Sequence, residues 1–476
     1  MKRTVLLLLL ASMAFAQSSL LKSYQLGFAS GLQQGLAGNG ISDIKESKGV
    51  LWFGTGHGLS RTMDHGATFE TFLPAQGLGH GSVSGLYVQG DTIIVATATD
   101  TLTKVSEQSL AKGTGVSLSV DGGKSWRHVS QPGTTPIQNL AYDVEVLDAT
   151  VWIACFGGGL MKSDDWGQTW QNAPPDTFIF NPSKRLNHRV FSLAMGDGAL
   201  YAGTAEGVNR SLDNGRTWVN YNHYNQAHPL SGNFITALAF QKTRSRSVIW
   251  AASWKAEGTD EFYAVSKSEN GGLSWQTMLE EEQAHNFAFD DSVVYVATNS
   301  GLYKSIDYGE TWFLFPPVKD AESSNRIYGL EVDSVWGRDG VLWMGSTDGL
   351  ARTGDNGNTW KLYRAFVATG QSGQPRTYAY PNPFSPTRHN QLGGDGYVRL
   401  QYNVKTNTYV TIKVFDYAMD LVSTIVNNAY RHGPADYSDV WNGRNEYGDS
   451  VANGVYFYKV DLEGDGVYWG KLMIVN

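Results

Sequence analysis

Apolar residues come along this chain in short runs of roughly four to eight, and the runs return in a fixed order. A typical unit opens with a run such as Ile235-Thr236-Ala237-Leu238-Ala239-Phe240. A second, almost continuous apolar run follows: Val50–Thr55, Val151–Cys155, Ala199–Thr204, Val293–Thr298 and Val341–Ser346. After a Gly-containing turn comes a third run such as Gly301–Ser305, then a polar turn, then a fourth run that opens on an aromatic residue. Runs this short, bounded by Gly and Asn/Asp, predict strands rather than helices. Four antiparallel strands per unit and seven units predict an all-β chain whose body is a seven-bladed β-propeller.

The polar turn is the most regular part of the unit. A hydroxyl residue, an acid or amide, a Gly and an aromatic hold fixed offsets in Ser119–Trp126, Ser163–Trp170, Ser211–Trp218 and Ser305–Trp312. Looser copies end at Phe69, Trp275 and Trp360. The third positions are Asp64, Asp121, Asp165, Asp213, Asn270, Asp307 and Asp355, spaced roughly 40 to 60 residues apart. An Asp in a tight turn accepts hydrogen bonds from backbone N–H groups about two residues on, and Gly supplies the positive φ such a turn needs. The Trp buries a large surface at the blade edge. These copies resemble Asp-box (BNR) repeats over roughly residues 40 to 363. The W-x-G-T/S-x-x-G-L pattern at Trp52–Leu59 and Trp343–Leu350 also resembles the repeats of periplasmic two-component sensor propellers. By propeller topology the seven turns lie between third and fourth strands, on the face opposite the usual ligand loops. Their role is structural.

The repeat stops after Tyr363, and residues 364–377 read as a linker. Beyond it, strand-like runs at Tyr397–Val404, Tyr409–Tyr417, Leu421–Tyr430, Tyr437–Trp441, Val455–Leu462 and Val467–Val475 predict a small Ig-like β-sandwich over residues 378–476. Tyr380–Pro386, Val414–Val422, Trp441–Tyr458 and Gly470–Asn476 resemble the Ig-like domain of the flagellar hook-cap protein FlgD, and equally the C-terminal sorting domain of type IX secretion cargo. That resemblance implies the type IX secretion machinery as a partner, with release from the cell or retention on its surface. Tyr417-Ala418-Met419 departs from the Gly-bearing turn of the family.

The first residues read as an export signal: Lys2 and Arg3, the apolar run Val5–Leu10, and Ala14-Phe15-Ala16 as the cleavage site, giving a signal peptide at 1–16. For residues 17–40, rich in Gly, Gln and Ser, a cap across the ring and a loose tail are both compatible readings. The propeller proper is expected over 41–363. No run is long enough for a transmembrane helix. Together these imply export across both membranes of a Gram-negative bacterium, to a secreted or cell-surface location. With a net charge of -8 and no basic run that tracks a phosphate backbone, nucleic acid is not expected as a partner. Cys155 is the only cysteine, so no intrachain disulfide forms, and its strand-like surroundings predict a core residue.

Chemistry is therefore expected on the face built by the loops after second strands and by the connections between blades. The first group offers His57, Glu206, Asp348, the insert Ala98–Gly115 and Trp254, an aromatic suited to stacking on a sugar ring. The second offers two long inserts, Pro174–Arg189 with Arg185, Asn187, His188 and Arg189, and Asn222–Asn233 with His223 and His228. Long loops on a rigid scaffold tend to carry function. Glu206 and Asp348 are the candidate pair if the chain is an inverting glycosidase, which needs two carboxyl groups across a cleft. The early F/Y-R-I-P motif and six blades of sialidases are missing, and xyloglucan-cleaving relatives clasp the glucan between two propellers. Zinc-binding, redox, serine-nucleophile and phosphate-loop motifs are absent, and Asp461–Gly466 reads as a hairpin turn rather than a Ca²⁺ loop. The expectation is a propeller without catalytic activity, metal or cofactor that binds an extracellular protein or polysaccharide. The rival is a glycoside hydrolase of sialidase or xyloglucanase type.

Overall fold

The computed structural model describes residues 33–102, 109–133, 138–255, 260–321, 326–327, 329–367, 369, 375–387 and 396–475. The signal-peptide reading (1–16), residues 17–32 and parts of the inserts at Ala98–Gly115 and after Trp254 lie outside them.

Seven four-stranded antiparallel sheets follow one another, each made of four strands consecutive in sequence. The inner strands are Ile41–Ser47, Ser82–Gln89, Ala141–Leu147, Val190–Gly196, Phe234–Lys242, Ala284–Asp290 and Ser334–Arg338. They pack edge to edge around the ring, and the last returns to the first: Ser334 Oγ donates to the Ile41 carbonyl at 2.9 Å, and Arg338 pairs with Glu46 at 2.8 Å. No blade is completed by a strand from the other end of the chain. Closure is reinforced by residues that follow sequence expectation only in part. Gln33–Gln34 pairs antiparallel with Phe366–Val367, at the start of the stretch read as linker. Leu36 is fully buried beside them, and the Ala365 N–H donates to Asn39 Oδ1 at 2.7 Å. This part of the N-terminal segment is neither cap nor tail but a clasp between the first and last blades.

The second strands carry the core because both their faces are covered by neighbouring blades. Val151–Cys155 is buried throughout, and burial pushes the Cys155 thiol up to about 12, as for an inert packing residue. Trp52, Trp152, Trp250 and Trp343 hold these strands to the next blade. The Gly of each following repeat turn lies against the Trp: a Cβ on Gly215 would meet the Trp152 ring at 2.4 Å, and one on Gly309 the Trp250 ring at 2.6 Å. The same contact between Gly66 and Trp343 joins blade one to blade seven.

A small Ig-like β-sandwich follows. A three-stranded sheet (Thr377–Tyr380, Val398–Val404, Ala435–Trp441) faces a four-stranded one (Leu421–Arg431, Thr408–Phe415, Gly454–Leu462, Gly466–Ile474). Alternate residues Val410, Ile412 and Val414 point inward and are fully buried with Leu400, Tyr402, Tyr458 and Val460. Asp461–Gly466 is the hairpin turn between the last two strands. Met419 takes φ 68°, the left-handed conformation that Gly adopts freely. The sandwich is fastened to blade seven through Asp348, whose carboxylate meets the Arg399 guanidinium, and Thr369 Oγ1 of the connecting segment donates to Asp436 Oδ1 at 3.1 Å. No α-helix occurs among the described residues, and no helix is long and apolar enough to cross a membrane.

Candidate functional site

The repeat turns lie where the topology requires, between third and fourth strands, and each is closed internally. In the turn at Asp213, Ser211 Oγ donates to Oδ1 at 2.8 Å, and the backbone N–H groups of Arg216 and Thr217 donate to the same oxygen at 3.1 and 2.8 Å. Thr217 Oγ1 donates to Oδ2 at 2.6 Å, while the Gly215 N–H donates to Ser211 Oγ at 2.8 Å. The backbone donors thus lie three and four residues on, not two. The other turns repeat this set, and Asn270 adapts it by donating from Nδ2 to Ser274 Oγ at 2.8 Å. Hydroxyl and backbone donors hold Asp64, Asp121, Asp213 and Asp355 down at about 2, and put Asp165 and Asp307 lower still. The acid or amide of each turn is thereby engaged within its own turn.

On the opposite face, several of the predicted site residues are committed to the fold. Asp348 is buried, with its carboxylate between Arg364, at 3.0 Å, and the Arg399 guanidinium of the sandwich. It is a fastening between domains rather than half of a catalytic pair. Glu206 is exposed and takes the Asn187 N–H on Oε2 at 3.1 Å. Trp254 is not a platform in a loop: the second strand of blade five runs on through it, pairs it with Phe234, and buries it against Phe191, Tyr263 and His285. His188 is fully buried. Its Nδ1 accepts from the Asn181 N–H at 2.8 Å, which leaves Nε2 to donate to Asp176 at 2.9 Å. Arg189 is buried too and donates to the Pro182 carbonyl at 2.7 Å. These residues make the insert 174–189 a self-supported structure.

That insert and its neighbour turn other side chains outward. Ile179 is 92% exposed, Phe178 52% and Tyr224 62%. Arg185 lies over the Phe178 ring at 3.4 Å, and Tyr224 donates to Glu261 at 3.1 Å. His223 donates from Nδ1 to the Leu230 carbonyl at 2.6 Å, whereas His228 and His57 are exposed.

The feature that sequence reasoning missed is the channel inside the ring. Six inner strands carry a one-residue bulge near the ligand face, at Ser42, Ser84, Tyr142, Phe191, Thr236 and His285. The extra residue turns a side chain into the channel. The resulting cavity is about 340 Å³. Its walls differ: blades one to three contribute Asp43, Lys45, Asp143 and Glu145, whereas blades four to six contribute Phe191, Met195, Phe240, Phe287 and Phe289. Asp143 accepts the N–H groups of Val144 and Leu193 at 2.8 Å each, joining blades three and four, and Lys45 lies 3.5 Å from Asp43. Burial pushes Asp143 up to about 6, against the pull of Lys45. Burial, with the Asp143 charge added, pushes Glu145 up to about 8. The signal for this site was present in Tyr142-Asp143-Val144-Glu145 and Ser42-Asp43-Ile44-Lys45, charged residues inside strands that must line the axis.

No family model matches the chain. It is 23% identical, over 245 residues, to a xyloglucanase from Acetivibrio thermocellus, covering 44% of this chain and 28% of that protein. Among solved structures it resembles the GH74 xyloglucanase from Xanthomonas campestris with a TM-score of 0.52 and 13% identity, over 69% of this chain and 55% of that one. It also resembles an ancestral GH74 enzyme with a TM-score of 0.50 and 15% identity, over 93% of this chain and 64% of that one. The chain therefore spans less than two thirds of the length of these relatives, and the likeness is one of fold.

Proposed function

We propose that this chain is an exported propeller that binds an extracellular polysaccharide or protein on its loop face without cleaving it, and that its C-terminal sandwich serves type IX secretion or surface attachment. The observation that carries the binding role is the exposure of Phe178, Ile179 and Tyr224 on two inserts held in place by His188–Asp176 and Tyr224–Glu261 hydrogen bonds. Exposed apolar and aromatic side chains held on a stiff frame suit the faces of sugar rings or a partner protein. The commitment of Asp348 to two guanidinium groups favours binding over hydrolysis. The likeness to xyloglucanases makes β-glucans the first polysaccharides to try.

The glycoside hydrolase reading has its own support in that likeness and in Asp143 and Glu145, two carboxyl groups set apart at about 6 and about 8. A glycan array with the mature chain, run beside a reducing-end assay on xyloglucan and other glucans, decides between the two. Binding without new reducing ends is expected, weakened by Phe178→Ala with Tyr224→Ala. Reducing ends that accumulate with wild type and vanish in Glu145→Gln or Glu206→Gln would replace binding with hydrolysis. For the sandwich, a reporter fused to residues 376–476 should leave a type IX-competent host, and retention inside would remove the sorting role.

A further inference from the structure

The channel is a second place where this protein is unfinished, apart from the loop face. At its ligand-face mouth Asp333 is only 5% exposed, lines the cavity, and has no hydrogen-bond partner for Oδ2. The neighbouring rim hydroxyls of Ser42 and Ser84 are also unpartnered. A buried carboxylate oxygen without a donor is costly and is rarely left so unless something comes to it. Deeper in the channel stand Asp43, Asp143 and Glu145, facing one amine, Lys45, which already lies against Asp43. His285 adds no charge to balance them, since burial lowers its pKa and its Nε2 donates to Asn299 Oδ1 at 2.6 Å. Four carboxyl groups thus face one committed cation.

We propose that the channel is a binding site for an organic monocation, a protonated amine or guanidinium carried on an apolar body, entering from the loop face with its charge at Asp333. Carboxylates on one wall match the charge, and the Phe-lined wall opposite matches the body and the cation's attraction to aromatic faces. A cavity of about 340 Å³ is at the small end of ligand pockets and admits a side chain or a small amine but no folded partner. Such an amine has two sources, a free small molecule or a Lys side chain of an extended polypeptide.

The test is calorimetric titration of the mature full-length chain at low salt with phenethylamine, with its neutral analogue phenethyl alcohol, and with a capped Gly-Lys-Gly peptide. The amine or the peptide is expected to bind, and the alcohol about tenfold more weakly or not at all. Asp333→Asn, which keeps the shape and removes the acid that would pair with the cation, is expected to weaken amine binding about tenfold without unfolding the chain. Ser84→Phe, which fills the mouth, should abolish it. Tighter binding of phenethylamine assigns the site to free amines, and tighter binding of the peptide to an inserted Lys side chain. The proposal is overturned if alcohol and amine bind alike, if Asp333→Asn binds as wild type does, or if neither cation binds up to about 10 mM. Glycan or protein binding by the loop face is read separately, so its success or failure leaves this result unaffected.

Discussion

The two ends of the same ring treat their carboxylates in opposite ways. In the repeat turns each Asp is at the surface yet surrounded by donors, and its ionised form is favoured. In the channel Asp143, Glu145 and Asp333 are drawn into the ring, where burial disfavours their ionised forms, and Asp333 Oδ2 meets no donor. The turns repeat seven times in sequence, whereas among the channel acids only Asp43 and Asp143 stand at equivalent positions of their blades. Saturation of hydrogen bonding, more than residue type, distinguishes scaffold from site here.

The largest effect is expected where the turn meets the core. Gly215 has φ 77°, and a Cβ there would lie 2.4 Å from the buried Trp152 ring. Gly215→Ala combines backbone strain with overpacking and should cost about 3 kcal/mol in urea unfolding. A loss near the ordinary Gly-to-Ala background would mean that the turn does not brace neighbouring blades.

An intermediate effect is expected in the channel, with a definite sign. Glu145 has an ordinary value of 4.5 and stands at about 8 in the fold, so the folded chain holds its proton more tightly. Its contribution is fully present below about 4.5 and is lost as pH rises through about 8. Asp143, raised from 3.8 to about 6, acts in the same direction over a lower window. Melting temperature should therefore decline from pH 5 to 8 in wild type and decline less in Glu145→Gln. Identical pH profiles for the two would show that the channel does not disfavour the carboxylate.

That difference between the two ends also explains what was legible in the sequence. The blades were readable because Ser211, Asp213, Gly215 and Trp218 act within one turn, and local chemistry leaves a local pattern. The sandwich strands were readable from the alternation of Val410, Ile412 and Val414. Asp348 misled because its partner Arg399 belongs to another domain, far along the chain. Trp254 misled because a loop-like sequence continues the strand that pairs with Phe234. The channel stayed hidden because a one-residue bulge changes which side chains face inward, and bulges leave no periodicity to read. The Gln33–Gln34 clasp is too short to announce itself by any pattern.

The smallest effect at neutral pH tests the turn chemistry most selectively. Asn270 already occupies the acid position in blade five, accepting from Ser268 Oγ and from the Ser274 N–H while its own amide donates to Ser274 Oγ. Asp213→Asn should therefore be nearly silent at pH 7, whereas Asp213→Ala, which strands the N–H groups of Arg216 and Thr217, should lower the melting temperature measurably. Acid separates wild type from the amide variant. Asp213 has an ordinary value of 3.8 and stands at about 2 in the fold, so its contribution is present above about 3.8 and is lost as pH falls through about 2. The wild-type chain should thus lose stability over that interval slightly faster than Asp213→Asn, and the gap should widen as further Asp turns are changed to Asn. This is the reverse of the channel's dependence, in which stability falls as pH rises. A neutral-pH loss in Asp213→Asn as large as in Asp213→Ala would mean that charge, not donor saturation, holds these turns, and the contrast between the two ends of the ring would have to be redrawn.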